Sequence, residues 1–166
     1  VGYQLHLTST EAVLFLKGGK DQSDDDVVRM KLLGSNSDAK VSGEEMLPGK
    51  VNYLLGNDRR SWRANLPTYG KVKYKNVYSG VDLVYYGTQR DLEYDFHVAP
   101  GADPNVVSLG FEGANQTKID SDSGDLIIEL ANGKTIRQHK PVLYQDVEGV
   151  RKPVTGQFVL RGPLQV

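Results

Sequence analysis

Val81 to Val98 reads VDLVYYGTQRDLEYDFHV, two alternating runs joined by a polar turn that opens on a glycine. Val81, Leu83 and Tyr85 recur at every second residue, as do Leu92, Tyr94, Phe96 and Val98, while Asp82, Glu93, Asp95 and His97 fall between them. A period of two belongs to a β-strand, whose successive side chains point to opposite faces. The stretch therefore reads as an antiparallel hairpin with one buried and one polar face. For the buried sets to share a face, the expected register pairs Tyr85 with Leu92, Leu83 with Tyr94 and Val81 with Phe96, around a loop of Gly87, Thr88, Gln89 and Arg90. It sets Asp82 opposite Asp95 and Val84 opposite Glu93 on the outer face.

The same alternation extends in both directions. Upstream, Lys71, Lys73 and Lys75 alternate with Val72 and Tyr74, a strand that Ser79-Gly80 turns into the hairpin. Near the start, Tyr3 to Leu7 and Ala12 to Leu16 form two strands around Thr8 to Thr10, the second ending at Gly18-Gly19. The acidic loop Asp21 to Asp26 then leads to a third strand carrying Val28, Met30 and Leu32. Ser35 to Glu45 is polar and reads as a mobile loop, Glu44 to Leu47 as one helical turn stopped by Pro48-Gly49, and Val51 to Leu55 as a short strand. Asn57 to Gly70 has no period and holds the only tryptophan, Trp62, so it reads as a long surface connection. Downstream, strands are expected at Val106 to Phe111, Thr117 to Asp120, Leu126 to Leu130, Lys134 to Gln138, Val142 to Val147 and Val154 to Leu160, with Asn132-Gly133 as a hairpin turn.

With roughly a dozen short strands and no amphipathic helix, the expected fold is all-β, an antiparallel β-sandwich or open barrel. The 166 residues are read as a single domain, residues 1 to 166. Lysine and arginine number 20 against 21 acidic residues, a net charge of -1, so no overall field draws the chain to nucleic acid. No apolar run approaches the ~20 residues that cross a bilayer, so no membrane insertion is expected. The absence of cysteine removes disulfides, thiolate metal sites and a cysteine nucleophile.

Taken together, GKVNYLLGND, LPTYGKVKYKNVYSGVDLVYYG, LEYDFHVAPGADP, GDLIIELANG and HKPVLYQDVEGVRKPVTGQFVL resemble an uncharacterised β-rich domain. That domain is found near the N-terminus of large secreted bacterial proteins, often ahead of seven-bladed propeller (SBBP) repeats or immunoglobulin-like modules. The resemblance runs from Gly2 to Leu160. It implies export, an extracellular or cell-surface location, and partners among other domains of the same polypeptide or neighbouring subunits. It brings no catalytic residues. The ending Leu164-Gln165-Val166, without a polar tail, fits a polypeptide that continues.

Three constellations are candidates for chemistry. Asp82, Glu93, Asp95 and His97 share the polar face of the hairpin and form a candidate metal-dependent or acid/base hydrolase site. The competing reading is a solvated face neutralised by Lys71, Lys73 and Lys75, because like charges across a strand pair repel. Asp120, Asp122 and Asp125 surround Gly124 in DSDSGD and are candidate calcium ligands, although Asp, Ser and Gly also suit a plain turn. Trp62, Arg60, Arg63, Tyr69 and Tyr86 are the candidate ligand-binding set, with aromatic faces for sugar rings and polar groups for hydroxyls. Against that, a lone tryptophan often folds back as a lid.

His6, His97 and His139 lack metal-ligand spacing, and no GxSxG, GxGxxG or Walker loop is present. The expected function is a non-catalytic structural or interaction module that assembles through sheet edges. Carbohydrate binding and hydrolysis are the alternatives.

Overall fold

A computed structural model of the chain describes residues 3–17, 26–87 and 91–166. Within them lie thirteen strands: β1 Tyr3–Leu7, β2 Glu11–Leu16, β3 Asp26–Leu32, β4 Lys40–Tyr53, β5 Arg63–Tyr78, β6 Val81–Gly87, β7 Leu92–Val98, β8 Leu109–Glu112, β9 Gln116–Ile119, β10 Leu126–Glu129, β11 Thr135–Gln138, β12 Leu143–Val147 and β13 Val150–Val154. The only helical elements among the described residues are two 3₁₀ turns, Arg59–Ser61 and Pro104–Val106. The fold is all-β and every ladder is antiparallel, in four open sheets rather than a closed barrel.

The chain divides into two compact units, one of Val1–Leu33 with Val107–Val166 and the other of Gly34–Val106. The first holds a sheet of order β1-β2-β3-β8, a sheet β11-β10-β9 and the ribbon β12-β13. Its buried apolar residues come from short strands, among them Val13, Val28, Leu32, Phe111, Leu126 and Ile128. The side of β8 away from β3 is met by the end of the chain: the Leu109 N–H donates to the Val166 carbonyl at 2.7 Å and the Phe111 N–H to that of Leu164 at 2.9 Å.

The second unit is one sheet of order β4-β5-β6-β7. Tyr74, Val77, Tyr78, Val81, Leu83 and Tyr85 are among its buried residues, with Ala39 and Val84, and Tyr74, Tyr85, Tyr94 and Phe96 form a chain of rings about 6 Å apart with edge-on or tilted contacts. β5 pairs with β6 only from Lys71 onward, whereas its pairing with β4 continues to Arg63. Residues 46–53 and 63–70 therefore form a two-stranded arm. No residue of β4 is buried.

The hairpin register differs from the expected one by two residues. Val81 pairs with Val98, Leu83 with Phe96, Tyr85 with Tyr94 and Gly87 with Leu92. An even shift leaves every side chain on its expected face, so burial cannot distinguish the two registers. The outer-face partners do change: Asp82 faces His97, Val84 faces Asp95 and Tyr86 faces Glu93. Thr88, Gln89 and Arg90 of the expected loop, Gly18-Gly19 and most of the acidic loop, Asp21 to Asp25, lie outside the described residues.

Other segments depart further from the sequence reading. Glu44 to Leu47 is not a helical turn but the middle of β4, where Glu45 takes φ 56° and the ladder shifts between Leu47 and Lys50. The shift is a bulge, which the strand tolerates because none of its residues is buried. The connection Asn57 to Gly70 is half strand, since β5 starts at Arg63. Val154 to Leu160 is not the last long strand: β13 ends at Val154, and Val159 and Leu160 are exposed. Pro104–Val106 is a 3₁₀ turn, and β8 begins only at Leu109.

Candidate functional site

Antiparallel pairing puts directly opposed residues on one face, so the outer face of the second unit follows from its register. Lys40, Ser42 and Glu44 of β4 oppose Lys75, Lys73 and Lys71 of β5. Lys73 and Lys71 in turn oppose Val84 and Tyr86 of β6, and Asp82, Val84 and Tyr86 oppose His97, Asp95 and Glu93 of β7. The lysines expected to neutralise the acids thus share their sheet face. Lys73 Nζ lies 3.1 Å from Asp82 Oδ2, and the Asn76 N–H donates to Asp82 Oδ1 at 2.8 Å. Burial works against the charged form of Asp82, but the Asn76 N–H and the Lys73 ammonium outweigh it and hold the carboxyl below its usual range.

Asp95 takes a different partner. The Tyr86 hydroxyl donates to Asp95 Oδ2 at 3.1 Å. Burial, with Asp95 and Glu93 alongside, pushes the Tyr86 phenol up to about 12, so at neutral pH it is a hydrogen-bond donor and not a base. Lys71 reaches Glu45 at 2.6 Å and sits 5.8 Å from the centre of the Tyr86 ring. The Glu45 carboxylate raises the Lys71 pKa. A depression of about 330 Å³ lined by Lys75, Asn76, Gly80, Asp82, His97 and Val98 lies beside the Asp82–His97 pair. Among the described residues no three His, Asp or Glu side chains gather as a metal site.

In the DSDSGD loop Asp120 and Asp125 both face the Arg137 guanidinium, at 3.8 and 2.8 Å, so a cation already stands between two of the three carboxylates. Asp120 Oδ1 accepts from the Asp122 N–H, the Ser123 N–H and the Ser123 hydroxyl, which closes a turn. Asp125, 6 % exposed, receives Arg137 Nη1 at 2.8 Å and His139 Nδ1 at 3.3 Å on Oδ2, and the Lys140 N–H at 2.9 Å on Oδ1. The Arg137 hydrogen bond first, then the Lys140 N–H, lower the Asp125 pKa to about 2. The Asp122 carboxylate accepts from the Ser121 hydroxyl, and among the described residues the three candidate calcium ligands do not gather as a metal site.

Trp62 caps the tip of the arm. Its Nε1 donates to the Gly56 carbonyl at 3.1 Å, and the Arg59 guanidinium lies 5.5 Å from its ring centre. The 3₁₀ turn beneath it starts at Asp58, whose carboxylate accepts from the Arg60 N–H and from Arg60 Nε and Nη2 at 3.0 to 3.1 Å. Arg63 Nη1 donates to the carbonyls of Arg60 and Trp62. Trp62 is half-buried on its own loop, so it is neither a lid nor fully open.

Tyr69 and Tyr86 do not join Trp62. Tyr86 opposes Lys71, eight residues along β5 from Arg63, a separation of roughly 26 Å at ordinary strand rise. Tyr69 lies in the arm with its ring against Gly43, in space that only the missing Cβ provides.

The sequence reading missed the apolar surface of the arm. Met46, Leu47, Tyr53, Leu54 and Leu55 are exposed, Leu55 at 73 % and Met46 at 70 %. Val51 to Leu55 reads as a short strand, and an apolar run carries no mark of whether anything covers it. A second exposed apolar group belongs to the first unit, around β12 and β13, with Val142, Leu143, Tyr144 and Val150.

A family model described as a domain of unknown function matches residues 2–165, nearly the whole chain. No curated protein and no solved structure matches.

Proposed function

We propose, for a chain that belongs to the DUF7948 family, that it is a non-catalytic interaction module of a secreted or cell-surface polypeptide and that the β4–β5 arm is its docking element. One observation carries this reading: a 14-residue strand with no buried residue carries large apolar side chains in the open. An isolated two-stranded ribbon is marginal in water and gains from a partner that covers it. On the outer acidic face Asp82 is tied to Lys73 and Asn76, and Asp95 to Tyr86, which favours a structural role for these two acids. Export rests on the resemblance to domains of large secreted bacterial proteins. No described helix is long and apolar enough to cross a membrane.

The two edges of the sheet differ as docking sites. β4 carries Pro48, a bulge and Lys50, features that discourage strand addition, so its contribution is its apolar side chains. β7 pairs without register shifts over Leu92–Val98, and its outer edge can accept a strand. Amide hydrogen exchange distinguishes docking from idle exposure. In a longer native polypeptide containing this domain, Lys40–Tyr53 is expected to exchange at least about tenfold more slowly than in the isolated domain. Equal exchange in the two would end the proposal.

A glycan reading keeps one specific support, the fixed Trp62 ring beside Arg59 and Arg63. Affinity electrophoresis in soluble acidic and neutral polysaccharides tests it. Retardation that Trp62→Ala abolishes would favour it, and unaltered migration of the parent would exclude it.

A further inference from the structure

The net charge of -1 conceals a local imbalance. Between Met46 and Gly70, the part of the arm that only β4 and β5 build, the basic residues are Lys50, Arg59, Arg60 and Arg63 and the sole acid is Asp58. Four minus one leaves the arm at +3, and the remaining 16 basic against 20 acidic residues leave the rest at -4. The positive charge surrounds the most exposed apolar residues of the tip: Tyr53 at 56 %, Leu54 at 53 % and Leu55 at 73 %, with Trp62 on the same connection.

We propose that this tip docks onto the surface of an anionic lipid bilayer, with Leu54 and Leu55 entering the headgroup boundary, Trp62 at the interface, and Lys50, Arg59 and Arg63 over the lipid phosphates. The inference rests on the arm being the docking element and names what its end touches. Leucine pairs surrounded by basic side chains, with an indole alongside, suit an interface that is apolar below and negative above. Leu54 and Leu55 are consecutive and both exposed, on the connection that closes the end of the arm. A folded protein partner buries a broad face, ~800 Å² on each side, whereas lipid surrounds a narrow tip from all sides. The backbone suits the location: the indole N–H is already satisfied by Gly56, and the Ser61 and Trp62 N–H groups by the carbonyls of Asp58 and Arg59. The tip lies on the bilayer and does not cross it.

Trp62 is the only tryptophan, so its emission reports the tip alone. Vesicles of phosphatidylcholine containing about one-third phosphatidylglycerol should sediment the protein and shift its emission to the blue, and phosphatidylcholine vesicles should do neither. Neutralising Arg59 and Arg63 to Gln should weaken binding about fivefold per charge at low salt. The double change Leu54→Ser with Leu55→Ser should weaken it at least tenfold, with circular dichroism unchanged because both side chains are exposed. Absence of sedimentation overturns the proposal. So does sedimentation that the leucine pair does not affect, which would mean simple charge adsorption. A protein that ignores vesicles while its β4 is still protected in the longer polypeptide would retain the docking arm and lose only the lipid.

Discussion

Asp82 of β6 grips β5 at two points: Oδ2 lies 3.1 Å from Lys73 Nζ, and Oδ1 accepts the Asn76 N–H at 2.8 Å. Asn76 sits at φ 54° in the irregular stretch of β5 between Tyr74 and Tyr78, where the ladder to β6 breaks. Asparagine tolerates that left-handed conformation better than most residues, and the Asp82 carboxylate supplies the acceptor the strand ladder no longer provides. The carboxylate on the supposed catalytic face thus works as a cap for a bulge.

Asp82→Ala is therefore expected to cost about 1.5–2 kcal/mol in urea unfolding, as charged hydrogen bonds at part-buried sites do. Lys73→Met should cost under about 1 kcal/mol, because both charges of the pair are partly solvated. Equal losses in the two variants would make the ion pair, and not the cap, the source of stability.

Acid stability should depend on Asp125. Its pKa is lowered to about 2 in the folded chain, so the carboxylate adds stability that is complete above the unfolded value near 4 and is lost as pH falls through about 2. Melting temperatures between pH 5 and pH 2 should fall less steeply for Asp125→Asn than for the parent. The variant should also melt lower at pH 7, where Arg137 and the Lys140 N–H lose their charged acceptor. Parallel acid limbs would contradict the assignment.

Gly80 turns β5 into β6 at φ 72°, and a Cβ there would come 2.7 Å from the Ala102 methyl carbon. Gly80→Ala combines left-handed strain with an overlap, at a cost of about 2 kcal/mol. Adding Ala102→Gly should return the overlap part and leave the strain. No recovery in the double variant would show that the backbone conformation alone sets the cost.

Where burial alternates along a strand, the sequence announced it, whereas Ala39 is buried within a segment that reads as a loop. Val81, Leu83 and Tyr85 alternate because one face of β6 must avoid water, and their faces were legible for that reason. The pairing of Asp82 with His97 in place of Asp95 was not, since a shift of two residues preserves every burial. β4 and the first half of β5 left no pattern because the arm is exposed along β4 and burial is what imprints alternation. The neutralising role of lysine could be read from Lys71, Lys73 and Lys75, but the cap on Asn76 could not, because a bulge has no periodic signature. Trp62 and its arginines were legible as a group, whereas Tyr69 and Tyr86 belong elsewhere in the sheet.

Tyr85 is 3 % exposed, and its hydroxyl has no hydrogen-bond partner among the described residues. Burial drives its phenol well above the usual pKa, so it remains neutral. A buried, unsatisfied hydroxyl costs about 1–3 kcal/mol of lost hydration, and removing it leaves the ring contacts with Tyr74 and Tyr94 intact. Tyr85→Phe should accordingly unfold at equal or higher urea concentration than the parent. A loss above about 1 kcal/mol would mean that the hydroxyl is satisfied in solution, for instance by a buried water.

Trp62 makes its contacts within its own connection, to Gly56 and Arg59, so its removal should loosen the tip and nothing else. The adjacent Arg59 and Arg60 are tryptic sites on an exposed turn, held by Asp58 and by the indole above them. A protease acts on the opened loop, and cleavage here therefore follows the population of the opened tip. Losing one hydrogen bond and one ring–cation contact, together about 1–2 kcal/mol, raises that population about five- to thirtyfold. Trp62→Ala should be cut faster at Arg59 and Arg60 by that factor, while its global unfolding midpoint stays within about 0.5 kcal/mol of the parent. Unchanged cleavage would show that the Asp58–Arg60 cap alone holds the turn, and a large fall in the midpoint would place Trp62 in the core of its unit.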